Sequence, residues 1–430
     1  MLADRSKDYA LQKLKPSTLS WTLHILDTSS LMKQPLDTKL LITAARRRAR
    51  LDNFGDETFR EPLRRLLACC ESEARLNAIG RLALAEDVLQ LLINRLQIQR
   101  DRHDWPQIRN EAIVAPLFIL GLPRTGTTLL HGLLAQDHDI FSAPATWEVM
   151  FPSPPPSLGQ KGRIKRALRR LRSFLLLAPE FQKIHPISAH LPQECIAIMS
   201  HTFMSDQFPA MYNIPSYGSW LERQDMRPVY EFHRQFLQHL QYGRPARCFV
   251  LKAPANLLSI EALFATYPDA RIVQTHREPL EIFPSVASLT TALRHVFSDF
   301  VDPAAIGNDM TRYWEDALTK FFVARQGLRQ DAFLDVEYSD LVRNPIQLVH
   351  ELYRWLGRDL SSDAELRMRR FLAANSHSKY GRHAHTLAGF DMDPANLSER
   401  FSSYRMRANS LGRIFFNRRS PEPLRNEKTG

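Results

Sequence analysis

The chain is short of cysteine, of long apolar runs and of metal-ligand spacings, and each shortage narrows what it can be. Its 430 residues contain four cysteines, Cys69, Cys70, Cys195 and Cys248. Two are adjacent and no zinc-type spacing occurs, which argues against both a disulfide framework and a structural metal. The expectation is no bound metal and a reducing compartment. No uncharged apolar stretch approaches the roughly 18 residues that a membrane-spanning helix needs. The first residues, MLADRSKDYALQKLKPS, lack the apolar segment of a signal peptide. A soluble, cytoplasmic protein is therefore expected. Internal repeats are missing as well.

What is present supports a large folded protein, long enough for an enzyme domain. Hydrophobic residues make up 44% of the chain, enough for a full core and too many for general disorder. The length accommodates a large domain with an accessory part. The formal net charge is +11 and the isoelectric point about 9.6. That balance favours anionic partners: nucleotides, acidic glycans, nucleic acid or an anionic membrane surface. Charge alone does not choose among them.

From about Leu40 to Ile98 the apolar spacing is helical, with Leu63, Leu66 and Leu67, then Val88, Leu91, Leu92 and Leu96, on repeating faces. Residues 1–110 read as a helical N-terminal extension, which Pro106 closes. Thereafter short strands alternate with helices. Leu117 to Leu120, CFVLK (248–252), RIVQT (271–275) and AFLDVEY (332–338) are strand candidates. Helices are predicted over about 127–135, 256–267, after Pro279, and over 345–356. This alternation predicts an α/β fold: a central parallel sheet covered by helices on both faces, in three α/β/α layers. Ligands of such sheets bind at the carboxyl ends of the strands. The core spans 111–360, with an insertion over 150–245 and a C-terminal segment over 361–430. Within the insertion, FPSPPPS cannot be wholly helical. The following KGRIKRALRRLR (161–172) is strongly basic and carries Ile164, Leu168, Leu171 and Leu175 on one helix face. Its charged side is either simply solvated or a contact for an acidic substrate or a membrane.

Gly121-Leu-Pro-Arg-Thr-Gly126-Thr-Thr128 follows an apolar strand and opens a helix. It has the shape of the P-loop pattern, with threonine where the lysine should stand. Gly126 lets the backbone approach an anion, and the amides of 125–128 form a helix N-terminus that attracts negative charge. Thr127 and Thr128 add hydroxyls, and Arg124 supplies positive charge. The missing lysine argues against an ordinary nucleoside triphosphatase and leaves room for a ligand gripped by arginine and hydroxyls without obligatory magnesium.

GLPRTGTTLLHGLLAQD resembles the 5′-phosphosulfate loop of sulfotransferases that use 3′-phosphoadenosine 5′-phosphosulfate (PAPS), in which Pro123, Arg124, Thr125, Gly126, Thr127 and Thr128 would hold the donor. ARIVQTHREPLEIFPSVASL (270–289) resembles a second family element, a strand, an arginine, and a serine eight residues on. That nominates Arg277 and Ser285 for the 3′-phosphate. LKAP (251–254) is similar to the K-x-P turn of tyrosylprotein and carbohydrate members and nominates Lys252 for the transferring group. VEYSDLVRNP (336–345) resembles Y-x-x-L-x-x-[DN]-P and places Tyr338 near the adenine. SKYGRHAH (378–385) resembles the K-x-G segment that closes over the donor's 3′ end, with Lys379 and Gly381. The order of these elements is similar to that of the broad bacterial group.

The resemblance implies in-line displacement at sulfur: an acceptor hydroxyl attacks and 3′,5′-bisphosphoadenosine leaves. The loop amides, Arg124, Thr127, Thr128 and Lys252 would neutralise charge on the leaving side. A base should take the acceptor's proton. The family places one after the loop helix, where SAPATWEVMFP offers Glu148 alone. IHPISAHLPQEC offers His185, Glu194 and His190. Glu148 ranks first, Glu194 second and His190 third, with a buried structural role as the rival reading of Glu148. Two other functions compete. A P-loop kinase or NTPase would need the loop lysine and an acidic strand end, yet the second strand ends in Lys252. A basic protein binding nucleic acid or acidic polysaccharide would need recognition motifs that are not seen. The acceptor, a glycan, lipid or small metabolite, is expected in the insertion and the 286–312 region. Phe203, Phe208, Tyr212 and Tyr217 are expected to contribute to a partly apolar pocket.

Overall fold

Four short apolar runs bounded by turn residues form one parallel sheet, and a fifth, two-residue strand extends its edge. The computed structural model describes residues 36–177, 187–375 and 386–410. The strands are β1 (Leu117–Gly121), β2 (Phe141–Ser142), β3 (Cys248–Lys252), β4 (Arg271–His276) and β5 (Phe333–Glu337), in the order β2-β3-β1-β4-β5. Ile119 lies beside Lys252, Gly121 beside Thr275, and His276 beside Glu337. The glycine loop, Lys252, Arg277 and Tyr338 therefore all leave the sheet at its carboxyl edge. The central strands alternate strictly. Phe118 and Leu120 join Phe249, Leu251 and Ile272 on one face, and Leu117 and Ile119 join Val250 and Val273 on the other. Both sets are buried, which is why the strands read as unbroken apolar runs.

The helices used below are α1 (Thr38–Ala49), α2 (Arg60–Ser72), α3 (Ala78–Asp104), α4 (Thr127–Leu134), α5 (Thr146–Met150), α6 (Lys161–Leu177), α7 (Cys195–Met199), α8 (Arg227–Gln241), α9 (Pro279–Phe297), α10 (Pro303–Gln326) and α11 (Tyr338–Arg343). Helix α4 packs Leu130, Leu133 and Leu134 on one face of the sheet, and α8, α9 and α10 cover the other. The predicted helix over 256–267 begins with a 3-10 turn, Pro254–Ser259, and is α-helical only over Ile260–Thr266. Although α8 falls within the stretch read as an insertion, Val229, Phe232, Phe236, Leu237 and Leu240 make it a sheet-covering helix.

The helical N-terminal region does not stand apart. Helices α1 to α3 share an apolar cluster with Phe203, Phe208, Tyr212, Tyr217 and Phe297. Those four aromatics of the 203–217 segment, expected to line a pocket, are each no more than 2% exposed. They fill the joint between the N-terminal helices and the core, where burying a large ring gains more than exposing it to a cleft. Arg95 of α3 bridges the same joint. Its guanidinium lies over the rings of Phe59 and Phe232, at 4.6 and 4.9 Å, and donates to the carbonyls of Asp56 and His201.

Candidate active site

The glycine loop is held in shape before any ligand is considered. Gly126 caps α4 with φ 87°, and Arg124 has φ 67°. A Cβ on Gly126 would stand 2.6 Å from Leu341 Cδ2 and 3.2 Å from Tyr338 Cδ2, so glycine is required both by conformation and by space. The Thr125 hydroxyl donates to the Leu122 carbonyl (2.6 Å) and sits 2.6 Å from the Thr275 hydroxyl. Thr125 is fully buried, so its side chain ties the loop to β4 rather than facing a ligand. Thr127 is buried and Thr128 exposed at the opening of α4, while Arg124 is exposed and Pro123 half-buried. The first amides of α4 have no partner within the helix, so this end presents backbone donors of the kind that favour an anion.

Arg277 and Tyr338 close on the loop from the other side of β1. The Arg277 guanidinium lies 4.1 Å from the centre of the Tyr338 ring, donates to the Arg124 carbonyl at 3.1 Å, and pairs with Glu281 at 3.0 Å. Ser285 is half-buried two turns into α9. Behind Arg277 lies a buried network. His276 Nε2 donates to Asp335 at 2.8 Å, and Arg325 forks onto the same carboxylate at 2.8 and 2.6 Å while also reaching Gln274. Burial raises the proton affinity of Asp335, but the hydrogen bonds from Arg325 and His276 together outweigh it and leave its pKa below the ordinary value. This network fixes the end of β4 from which Arg277 departs.

Lys252, at the end of β3, is 3% exposed and forms an ion pair with Glu194, the residue capping α7. Glu194 reaches this place because two separate segments join: Ala145 bridges to Pro192, and the Gln193 amide donates to the Pro144 carbonyl. Beneath the pair, His131 of α4 is buried with Nε2 donating to the Val250 carbonyl at 3.1 Å. Burial first, and then the charge of Lys252, push its pKa down to about 4, so it is neutral. Burial likewise pushes the neighbouring Cys195 thiol up to about 12, leaving it no nucleophile.

Glu148 has different surroundings. One carboxylate oxygen accepts from Arg244 at 2.7 Å and the other from the Ala145 amide at 2.9 Å, and the side chain is 6% exposed. Neither Lys252 nor the glycine loop is among its partners. His190 is exposed. His185, Lys379 and Gly381 lie outside the described residues. Of the residues nominated from sequence, the structure thus brings Arg124, Gly126, Arg277 and Tyr338 into one cluster and Lys252 and Glu194 into a pair. His131 and the His276–Asp335–Arg325 network went unforeseen. Their partners come from other strands and from α10, and no local spacing marks them.

The family model described as "Sulfotransferase family" matches residues 116–362, more than half of the chain. The chain belongs to the sulfotransferase family. Among solved structures, the sulfotransferase STF1 from Mycobacterium tuberculosis is 30% identical with a TM-score of 0.77, covering 86% of this chain and 100% of its own. STF9 from Mycobacterium avium shares the fold, with a TM-score of 0.76, 24% identity, and coverage of 86% and 96%. A curated relative from M. tuberculosis, omega-hydroxy-beta-dihydromenaquinone-9 sulfotransferase Stf3, is 25% identical over 328 residues, 73% of this chain and 79% of that protein. This sulfotransferase thus carries the glycine loop, β3, β4 and β5, and with them the clustered residues, inside the matched span.

Proposed function

We propose that this sulfotransferase moves a sulfuryl group from PAPS to a hydroxyl of a lipid-like acceptor, with Lys252 and Glu194 as its central pair. The observation that carries the reading is the position of that ion pair at the carboxyl edge of β3, one strand from a preformed anion loop. The residues present fit the donor. The glycine loop has room only for backbone at Gly126, and its helix N-terminus, with Arg124, Thr127 and Thr128, suits the 5′-phosphosulfate. Arg277 and Ser285 suit the 3′-phosphate and Tyr338 the adenine; Lys379 and Gly381, outside the described residues, are assigned to the closing segment from the sequence resemblance alone. When bound, PAPS supplies the sulfuryl group and the leaving bisphosphate.

The chain's own groups do the rest. Before the donor enters, Glu194 holds Lys252 and each compensates the other's enclosed charge. A donor phosphosulfate gives Lys252 a second anion to meet, where it balances charge developing on the bridging oxygen. Glu194, beside the reacting group, takes the proton of the acceptor hydroxyl as it attacks sulfur. This assigns the base to Glu194 in preference to Glu148, whose carboxylate is committed to Arg244 and the Ala145 amide. His131, neutral and fixed to the Val250 carbonyl, keeps a second positive charge away from Lys252. The lipid-like acceptor is supported by the name of the Stf3 relative, which acts on a hydroxylated menaquinone derivative. Incubating the protein with sulfur-35-labelled PAPS and a panel of hydroxylated lipids, glycans and small phenols tests the reading. Label should pass to hydroxylated lipids and should require Lys252; label on the glycans or phenols alone would overturn the acceptor class.

A further inference from the structure

Helix α6 is anchored by one face and offers the other to solvent. Ala167 and Leu171 are buried, and Ile164 and Leu168 pack beside Trp147 and Phe151. Three of its arginines are used inward. Arg163 donates to the Phe151 and Pro152 carbonyls at 3.0 and 2.7 Å, Arg166 reaches Gln90 at 2.8 Å, and Arg170 pairs with Asp87. A flanking face carries Lys161, Lys165, Arg169, Arg172 and Leu176, all exposed. Their spacing of 4, 4, 3 and 4 places them in a single stripe along the helix. Among the described residues, no carboxylate pairs with Lys161, Lys165, Arg169 or Arg172.

Two further features extend this stripe into a surface. The last turn of α1 adds exposed Arg46, Arg47 and Arg48. Of these, Arg48 lies near Arg166 of α6, whose proton affinity burial and then the charges of Arg48, Arg170 and Arg169 lower, and Arg48 also stands 3.8 Å from Glu86 while Arg46 lies over the Phe54 ring. Apolar side chains stand at both ends of α6: Leu158 is 51% exposed just before it, and Leu176 and Leu177 are 79% and 49% exposed at its end. Exposed basic side chains, flanked by bare leucines, match the two layers of an anionic bilayer surface, headgroup and acyl boundary. A solvated helix face has no need of the leucines, and a nucleic acid offers nothing to them.

We propose that the outer face of α6, with the end of α1, docks this protein on a membrane surface containing anionic phospholipid. The lysines and arginines meet phosphate headgroups, and Leu158, Leu176 and Leu177 enter the acyl boundary. No helix of the described residues is long and apolar enough to cross a membrane, so the attachment is peripheral. The inference does not rest on the sulfuryl-transfer reading, because docking needs neither donor nor acceptor.

The test is co-sedimentation of the full chain with vesicles of phosphatidylcholine alone or of phosphatidylcholine with 30% phosphatidylglycerol, without any nucleotide. The wild type should bind the anionic vesicles and leave the neutral ones. Lys165→Glu/Arg169→Glu/Arg172→Glu should weaken that binding by roughly 100-fold or more, from a several-fold contribution per basic side chain. Leu176→Asp should weaken it less, and raised salt should release the protein. Unchanged circular-dichroism melting checks that both variants fold, as expected for exposed positions. Equal binding to both vesicle types, or binding untouched by the charge reversal, would overturn the proposal. So would a wild type that ignores vesicles and is retained by heparin through the same three residues, an outcome that assigns the face to an acidic polymer.

Discussion

Glu148 and Glu194 are two carboxylates on segments that lie side by side, and they have opposite kinds of partner. Glu148 meets an arginine and a backbone amide that hold α5 against the stretch before β3. Glu194 meets a lysine at the carboxyl edge of the sheet, beside the glycine loop. Residue type is the same and Glu194 is the more exposed of the two, but the deciding difference is the neighbour each can lose. Glu148 is held by a local cap, whereas Glu194 pairs with a lysine that a bound anion would also attract. A carboxylate can serve as a base when its counter-ion has somewhere else to go.

The sharpest way to separate the two is to neutralise each in turn. Glu194→Gln should lower turnover by roughly 10²–10⁴, the usual worth of a positioned base. Glu148→Gln should leave turnover within a few-fold of wild type and lower the melting temperature instead. Steady-state rates and thermal melts on the same preparations check both. The reverse pattern would return the base to Glu148.

Next in size is the buried network behind Arg277. Asp335→Asn should cost about 3–5 kcal/mol of stability at neutral pH, because it leaves Arg325 without its buried counter-charge. The pKa of Asp335 is depressed in the fold, so its contribution is present above the ordinary value of 3.8 and is lost as pH falls through the lower folded value. The gap in unfolding free energy between wild type and Asp335→Asn should therefore shrink at acid pH. A gap that grows on acidification would mean the carboxylate is protonated in the fold.

Lys252→Ala should reduce turnover by about 10²–10³ and PAPS affinity much less, since its contact strengthens as charge develops. Equal losses in both would make it only a binding residue. The smallest effect is expected from Arg277→Ala: a loss of about 1.5–3 kcal/mol in calorimetric binding of bisphosphoadenosine, with little change for adenosine 5′-phosphosulfate. Ser285→Ala should follow the same pattern more weakly.

The difference between these two carboxylates also shows what could be read from sequence. The four main strands, the loop and α4 were legible because their patterns are local: an apolar run, two glycines, a helix opening. Strand β2 was not, because two residues leave no period. Arg277 and Tyr338 were nominated separately and meet over Arg124 only because β1, β4 and β5 are neighbours. The pairing of Lys252 with Glu194 could not be read at all. It depends on the bridge between Ala145 and Pro192, which no spacing announces. The aromatics at 203–217 were misread for a related reason. Their apolar character was plain, but whether rings line a cleft or fill a joint depends on the N-terminal helices that cover them.

The central claim is that the loop and Arg277 form a site for a nucleotide bearing a 3′-phosphate. Thermal melting of the wild type with 3′,5′-bisphosphoadenosine, set beside ATP with magnesium, tests it most directly. The account predicts that bisphosphoadenosine raises the melting temperature, that most of the rise disappears in Arg277→Ala, and that ATP with magnesium gives little. Stabilisation by ATP with magnesium equal to that by bisphosphoadenosine would contradict it.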